Sequence, residues 1–197
     1  MRQYVATPSE FDNQFGVIAR NHITTFVQKT AKKLAGESGR LLEIGPQERS
    51  IVREAFTNYQ YESFDIVDTY GPTHVGDITT LNPSIPDAHY DCVICMEVLE
   101  HTLDPFGAVR ELRRISKDGG YLLVSAPLNW RIHGPIPDCW RFTEHGFKVL
   151  LRDFDILELD ILETPGRDLF PVHYNLLAKT NKLKCTKDNE LTFRFIN

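Results

Sequence analysis

The sequence has no excess of positive charge and no apolar run long enough to span a membrane. Its 22 Lys and Arg residues stand against 27 Asp and Glu residues, so the formal net charge is -5. A surface that binds the phosphate backbone of a nucleic acid usually carries an excess of basic residues, so we expect no nucleic-acid partner. The first residues also lack the basic-then-apolar pattern of a signal peptide. We therefore expect no membrane partner and a cytoplasmic location.

Cysteine is scarce, and its four positions do not predict a metal site. Cys92 and Cys95 form a C-x-x-C pair inside the apolar run YDCVICM, whereas Cys139 and Cys185 stand alone. Successive residues of a strand face opposite sides, so two thiols three positions apart point away from each other. A zinc site would need a second pair at suitable spacing, which is missing. We expect reduced structural thiols and no metal.

Short apolar segments alternate with helical patterns along the chain. The predicted strands are 40–45, 61–67, 73–75, 90–96, 121–127, 156–162 and 174–179, and the predicted helices are 16–34, 50–55, 105–116 and 143–151. This order predicts an α/β fold with a Rossmann-like, mostly parallel, seven-stranded sheet and helices on both faces. No helical pattern separates the last two strands, which predicts an antiparallel last strand. The link between strands two and three is too short for a full helix, so the fold is trimmed there.

The length of the chain predicts one domain over residues 1–197. We expect residues 1–15 to be irregular and Ser50 and Thr143 to cap the helices that follow them. Residues 180–197 form a polar tail that ends in the alternating run LTFRFI. This tail is expected to add an edge strand or to provide a surface for a homo-oligomer.

The segment LLEIGPQERS (41–50) is a strand, an acidic residue and a glycine turn that enters a helix. A dinucleotide site would need G-x-G-x-x-G here, so that backbone amides surround a pyrophosphate. That pattern is absent, and Glu43 stands two residues before Gly45. A carboxylate repels a pyrophosphate but suits a ligand that carries an ammonium and a sulfonium group. The segment therefore favours S-adenosylmethionine over a nicotinamide cofactor.

These motifs resemble those of the class I S-adenosylmethionine-dependent methyltransferases, in particular the type 11 group. That group's first motif is a strand ending in an acidic residue and then a G-x-G turn, which Glu43 and Gly45 match. Gln47 stands at the second glycine, where glycine permits a positive φ and a close approach to the ligand. The most specific resemblance is the segment 95–127, with EVLEH, a D-P helix start and a glycine turn. PDCWRFT (137–143) extends it.

The resemblance implies a set of cofactor-binding residues. Asp65 would hold the ribose hydroxyls, with Asp68 as the less favoured alternative, because a carboxylate offers lone pairs to two adjacent hydroxyls. Asp77 would accept a hydrogen bond from the adenine amino group, and the backbone amide of Ile78 would serve a ring nitrogen. Glu97 would line the methionine end or the substrate mouth. S-adenosylhomocysteine would be the product.

Two loops supply the candidate catalytic and substrate residues. His133, after the strand 121–127, is a candidate general base, with an exposed loop histidine as the alternative. Trp140 is predicted to cover the pocket, while Asp138 and Arg141 either fix a polar substrate or pair with each other to hold the loop. His101 lies at the substrate side, where a structural role is favoured over a catalytic one.

The predicted function is methyl transfer to a small polar acceptor, with an oxygen of a sugar-like or secondary metabolite as the favoured methyl-accepting atom. A protein acceptor is a second possibility. The alternative is a non-catalytic binding or interaction module that kept the fold, which the departure at Gln47 motivates. The carboxylates of Glu43, Asp65 and Asp77 argue for the enzyme, because a module without a ligand has no need of three carboxylates on one rim.

Overall fold

The first helix, α1 (Glu10–Lys33), begins at a reciprocal pair of hydrogen bonds between Ser9 and Asp12. The computed structural model describes residues 7–134 and 137–183. The hydroxyl of Ser9 accepts from the backbone N–H of Asp12 at 3.1 Å, and the Asp12 carboxylate accepts from the N–H of Ser9 at 2.8 Å. This capping box starts the helix six residues before Gly16, so the predicted irregular segment is wrong for residues 10–15.

The remaining elements follow the predicted alternation of strands and helices. They are β1 (Gly39–Ile44), α2 (Ile51–Ala55), β2 (Tyr59–Asp65), β3 (His74–Val75), β4 (Tyr90–Met96), a 3-10 helix (Leu99–His101), α3 (Pro105–Ile115), β5 (Ser116–Pro127), α4 (Glu144–Leu150), β6 (Phe154–Thr164) and β7 (Arg167–Thr180). β6 and β7 are longer than predicted because their pairing extends to a tight connection at residues 165–166. Thr143 caps α4 as predicted. Ser50 does not cap α2, because its hydroxyl donates to Glu54 instead.

The sheet has the strand order β3-β2-β1-β4-β5-β7-β6. The first five strands in this order are parallel, and β7 lies antiparallel between β5 and β6. No helix stands between β2 and β3 in the described chain. The predicted seven-stranded, mostly parallel sheet with an antiparallel last strand and a trimmed second connection is therefore confirmed.

The core lies in two layers, one on each face of the sheet. Consecutive strand residues alternate between them: Leu41 packs with α1 and α2, whereas Leu42 packs with α3 and α4. Cys92 and Cys95 lie in opposite layers and both are buried. The two thiols thus point away from each other, as their spacing predicts.

Two predicted features of the chain ends fall wholly or partly outside the described residues. Residues 184–197 hold most of the predicted tail, including Cys185 and LTFRFI, and residues 1–6 precede the first described one. Among the helices of the described ranges, none combines the length and the apolar character that crossing a membrane requires.

Candidate active site

Two neighbouring cavities open beyond the carboxyl ends of the parallel strands, where ligands bind in this architecture. The β2-side cavity, of about 250 Å³, is lined by the ends of β1 and β2, by the segment 76–79 and by residues 97–98 and 101–103 around the 3-10 helix. The β5-side cavity, of about 160 Å³, lies between α1, the loop after β5 and β7. The two cavities share Gly45, Gln47, Glu97 and His101 in their walls. A larger cleft of about 510 Å³ continues outward along the first half of α1.

The turn after β1 brings backbone close to both cavities. Gly45 has φ 64°, and a Cβ at this position would stand 3.0 Å from a methyl group of Val98. Gln47 has φ 54°, which is the left-handed conformation that glycine adopts most readily. Its side chain is exposed. The backbone at Gln47 thus takes the conformation of the glycine that the motif usually has, while the larger side chain is accommodated in solvent.

Asp65 ends β2 and faces the β2-side cavity. Its side chain accepts a hydrogen bond from the backbone N–H of Val67 at 3.3 Å, and the residue is 8% exposed. Asp68 is exposed and lies outside the wall of this cavity. Of the two aspartates, Asp65 lines this cavity and Asp68 does not, and the ribose role of Asp65 stays a prediction.

Asp77 and Ile78 also line the β2-side cavity. One carboxylate oxygen of Asp77 accepts from the backbone N–H of Thr79 at 2.8 Å and from its hydroxyl at 2.7 Å. Part of the acceptor capacity of Asp77 is thus used within its own turn. Ile78 is buried and contributes apolar surface.

Glu43 lies on the other face of the sheet from the β2-side cavity. It lines a separate cavity beside α1 and α2, and Gly45 lines both. Its carboxylate accepts a 2.7 Å hydrogen bond from the hydroxyl of Tyr61. Burial raises the pKa of Glu43 to about 7, in spite of that hydrogen bond. The sequence places Glu43 at the turn after β1, but its side chain lines the cavity beside α1 and α2 and not the one that Asp65 and Asp77 line.

Glu97 follows β4 and lies between the two cavities. Its backbone has φ 56°, and its N–H donates to the hydroxyl of Ser125 at 3.1 Å. Its carboxylate accepts from that hydroxyl at 2.8 Å and contacts Nε2 of His173 at 2.6 Å. Burial alone would raise the pKa of Glu97, but the charge and hydrogen bond of His173 outweigh it, so the pKa lies below its ordinary value. The carboxylate is therefore held ionised at the junction of the cavities.

A row of polar side chains continues from Glu97 to the surface. Nδ1 of His173 lies 3.3 Å from Nδ1 of His22 on α1, and Nε2 of His22 lies 3.1 Å from the carboxylate of Asp160. Burial lowers the pKa of His22, and the nearby Asp160 opposes that effect. His22 is a residue that the sequence analysis missed, because only the tertiary packing of α1 on β6 and β7 brings it to the site.

His101 and Glu100 stand next to each other in the 3-10 helix. Nδ1 of His101 lies 3.0 Å from the backbone carbonyl of Pro137, so it donates to that oxygen. Glu100 is fully buried, and neither carboxylate oxygen has a hydrogen-bond partner. Its Oε1 is 3.7 Å from Nε2 of His101, within ion-pair distance but without a hydrogen bond. Burial lowers the pKa of His101, whereas burial and the charge of Glu97 raise the pKa of Glu100 well above its ordinary range.

His133 reaches the β5-side cavity from the loop after β5. Its backbone N–H donates to the carboxylate of Asp138 at 2.9 Å, and its Nδ1 lies 3.2 Å from the same oxygen. That separation suits an ion pair, but the angles do not form a hydrogen bond, and Nδ1 is buried without one. Arg141 donates to both carboxylate oxygens of Asp138. Burial raises the pKa of Asp138, but Arg141 outweighs it and brings the pKa to about 2.

The predicted pair of Asp138 and Arg141 thus supports His133 from behind, and neither residue lines the two cavities. Trp140 is likewise absent from the residues that line them, and its place as their cover stays a prediction. Its indole N–H donates to the carbonyl of Thr102 at 2.8 Å. Trp130, which the sequence analysis did not select, lines the β5-side cavity and the outer cleft.

The comparisons with known proteins agree with this architecture. A family profile described as "Methyltransferase domain" matches residues 17–155, which is more than half of the chain. The "Ubiquinone biosynthesis O-methyltransferase" of Nitrosospira multiformis is 49% identical over 37 residues, which are 19% of this chain and 16% of that protein. The match thus spans less than a fifth of that relative.

Solved structures share the fold at low sequence identity. The N-methyltransferase NodS from Bradyrhizobium japonicum WM9 superposes with a TM-score of 0.61 at 13% identity, over 83% of this chain and 97% of that one. The [4+2]-cyclase SpnF superposes with a TM-score of 0.60 at 17% identity, over 78% of this chain and 80% of that one. Since such likenesses show the fold alone, the acceptor has to be argued from the side chains of this site.

Proposed function

Because the chain belongs to the methyltransferase-domain family of class I S-adenosylmethionine-dependent enzymes, we propose that it methylates a hydroxyl oxygen of a small polar acceptor. Sugar-like compounds and secondary metabolites are the acceptor classes we favour. The observation that carries the proposal is the difference in charge between the two adjoining cavities. The β2-side cavity is lined by carboxylates without Lys or Arg, whereas the β5-side cavity also contains arginine and histidine side chains.

The β2-side cavity fits the methyl donor by its charge. Its wall contains the carboxylates of Asp65, Asp77 and Glu97 and no Lys or Arg. Such a wall repels a phosphate but suits a ligand with a sulfonium and an ammonium group. Asp65 would hold the ribose, Asp77 and Ile78 the adenine, and Glu97 with the turn at Gly45 the methionine end. Glu43, on the opposite face, would act only through the turn that it precedes.

S-adenosylmethionine, when bound, supplies an electrophilic methyl group and is converted to S-adenosylhomocysteine. The task of the protein is then to align an acceptor oxygen with that methyl group and to exclude water. Glu97 lies between the cavities and is fixed by Ser125 and His173. A fixed carboxylate at this position orients both ligands toward each other.

The β5-side cavity supplies groups for a polar acceptor. Trp130 offers a flat apolar surface, Arg20 a positive charge, and His101 and His133 two imidazoles. A hydroxyl nucleophile has to lose its proton, and an imidazole has a pKa suited to receiving it. His133 is the residue we assign to this hydroxyl, with Asp138 and Arg141 fixing its orientation. The two imidazoles are why oxygen is favoured as the accepting atom.

The first test is calorimetric titration of the purified chain with S-adenosylmethionine and, separately, with S-adenosylhomocysteine. We expect both to bind in the micromolar range, roughly -8 kcal/mol. A panel of hydroxylated acceptors is then assayed with the wild type, His133→Ala and the exposed control His145→Ala. Turnover should fall about 100-fold or more in His133→Ala and remain unchanged in His145→Ala. Binding of neither adenosyl compound would instead favour an interaction module, and full turnover in His133→Ala would remove His133 from the mechanism.

A further inference from the structure

Three side chains with metal-binding atoms converge at the edge of the β5-side cavity. One ligand atom each from Glu100, His101 and His133 lies within 4.8 Å of the other two. We propose that these residues bind a divalent transition-metal ion. Imidazole nitrogens with one carboxylate suit Zn²⁺, Co²⁺ or Ni²⁺ better than Mg²⁺, which prefers oxygen ligands.

Glu100 gives the strongest reason for a cation at this position. It is 0% exposed, and both of its carboxylate oxygens lack a hydrogen-bond partner. Its backbone carbonyl accepts from the N–H groups of Cys139 and Trp140, so the main chain of Glu100 is fixed while its side chain is unsatisfied. An ionised carboxylate that is buried without a partner is strongly unfavourable. A bound divalent cation would satisfy both oxygens.

The tautomer of His101 also supports a cation site at this position. A carbonyl oxygen accepts only, so the contact at 3.0 Å with Pro137 places the proton of neutral His101 on Nδ1. Nε2 then carries a lone pair, and it faces Oε1 of Glu100 at 3.7 Å. When Glu100 is ionised, two acceptor atoms thus face each other without a donor between them. The hydrogen bond to Pro137 is the arrangement that usually orients a metal-binding histidine.

His133 completes a set of two imidazoles and one carboxylate. Its ring centroid is 4.9 Å from that of His101. Its Nδ1 is buried without a hydrogen bond, although the carboxylate of Asp138 is 3.2 Å away. Arg141 holds that carboxylate in place. Three protein ligands leave coordination positions open, which is typical of catalytic rather than structural metal sites.

The position of the cluster gives the cation a role in the proposed function, and this part of the inference rests on that function. His101 and His133 line the β5-side cavity, so an acceptor oxygen could occupy an open coordination position. A bound cation lowers the pKa of a hydroxyl attached to it. The hydroxyl proton would pass to solvent, and His133 would then act as a ligand rather than as a base.

Metal binding itself is tested without an acceptor. The full chain, with Cys139→Ser and Cys185→Ser to remove other ligands, is treated with chelator and titrated with Co²⁺ while visible absorption is recorded. We expect one equivalent to bind with absorption bands of a nitrogen- and oxygen-ligated ion. Glu100→Gln and His133→Ala should each weaken binding about 100-fold or more, and His145→Ala should not change it.

Thermal unfolding separates loss of the site from loss of the fold. In the metal-free state, Glu100→Gln should melt at the same temperature as the parent or higher, since it replaces an unsatisfied buried carboxyl group by a neutral amide. One equivalent of Zn²⁺ should raise the melting temperature of the parent but not of the variant. Equal Co²⁺ affinity in the parent and in both site variants, or no Co²⁺ binding at all, would overturn the inference. Titration of the metal-free chain with S-adenosylmethionine tests the proposed function independently.

Discussion

Nε2 of His173 lies 2.6 Å from the carboxylate of Glu97, and this contact joins the antiparallel strand β7 to the end of β4. His173 is almost fully buried, at 1% exposure. The contact fixes a residue whose backbone is in the left-handed region and which lies between both cavities. β7 therefore contributes to the site although it is not one of the parallel strands.

Removal of His173, which contacts the carboxylate of Glu97, should destabilise the protein. His173→Leu would leave the Glu97 carboxylate without its strongest hydrogen bond, and we expect the free energy of unfolding to fall by about 3 kcal/mol. Urea unfolding measures the change, with the exposed His145→Leu as the matched control. In a double-mutant cycle with Glu97→Gln, the two losses should be less than additive. Strict additivity would show that the contact contributes nothing to stability.

The two aspartates after β2 should differ sharply in their effect on cofactor binding. Asp65→Ala should weaken S-adenosylmethionine binding about 100-fold, because two hydrogen bonds from the ribose to a carboxylate are lost. Asp68→Ala, at an exposed position three residues later, should leave the affinity unchanged. Calorimetry gives both affinities, and circular dichroism checks that the fold is retained. Unchanged affinity in Asp65→Ala would rule out its ribose role.

Gln47→Gly should stabilise the fold by about 0.5–1 kcal/mol. The left-handed conformation at φ 54° costs a non-glycine residue about 1–2 kcal/mol, which the substitution removes. Glycine has more conformational freedom in the unfolded chain, and this cancels part of the stabilisation. Gln47→Ala keeps the unfavourable conformation and should bring no gain. Chemical denaturation of the three proteins makes the comparison. An equal gain in Gln47→Ala would trace the effect to the glutamine side chain instead of the backbone.

The buried Glu43 should make stability depend on pH. Its pKa is about 7 in the folded state against 4.5 in the unfolded state, so folding takes up a proton between these values. The stability that Glu43 contributes is present below pH 4.5 and is lost as the pH rises through 7. Glu43→Gln keeps an acceptor for Tyr61 and removes the titration. It should be more stable than the wild type by up to about 3 kcal/mol at pH 8, and nearly equal to it near pH 4.5.

Unfolding curves across this pH range provide the measurement. The control is Glu48→Gln, at an exposed carboxylate near the same turn. If the Glu43→Gln difference is flat across this pH range and no larger than that of Glu48→Gln, the carboxyl group of Glu43 titrates alike in both states.

The sheet could be predicted from the sequence because apolar strand patterns report directly on burial. The segment YDCVICM predicted β4 with its observed limits. The short link after β2 predicted that no helix lies between β2 and β3. Helix α1 was predicted too short, although Ser9 and Asp12 carry a local capping signal. Its apolar positions alone did not mark the start, because the first half of α1 borders the outer cleft and not the core.

The site was predicted less well, since side-chain direction in loops depends on distant contacts. The contact of Trp140 could not be predicted, because its indole N–H donates to the carbonyl of Thr102, 38 positions earlier in the chain. Motif spacing likewise does not say that the side chain of Glu43 lines a different cavity from Asp65 and Asp77. Glu100 was overlooked because only the folded structure shows that its carboxylate has no partner.

The two ends of the sheet differ in what they offer to another polypeptide backbone. At one end, β3 pairs with β2 over only two residues, so little unpaired main chain is left for a further strand. At the other end of the described sheet, β6 is 11 residues long, though register shifts interrupt its pairing with β7. A long edge is where strands from other molecules add, whereas a short edge resists such addition. Backbone pairing between two copies would therefore join β6 to β6 and end at a pair, because β3 is too short an edge to accept a further strand.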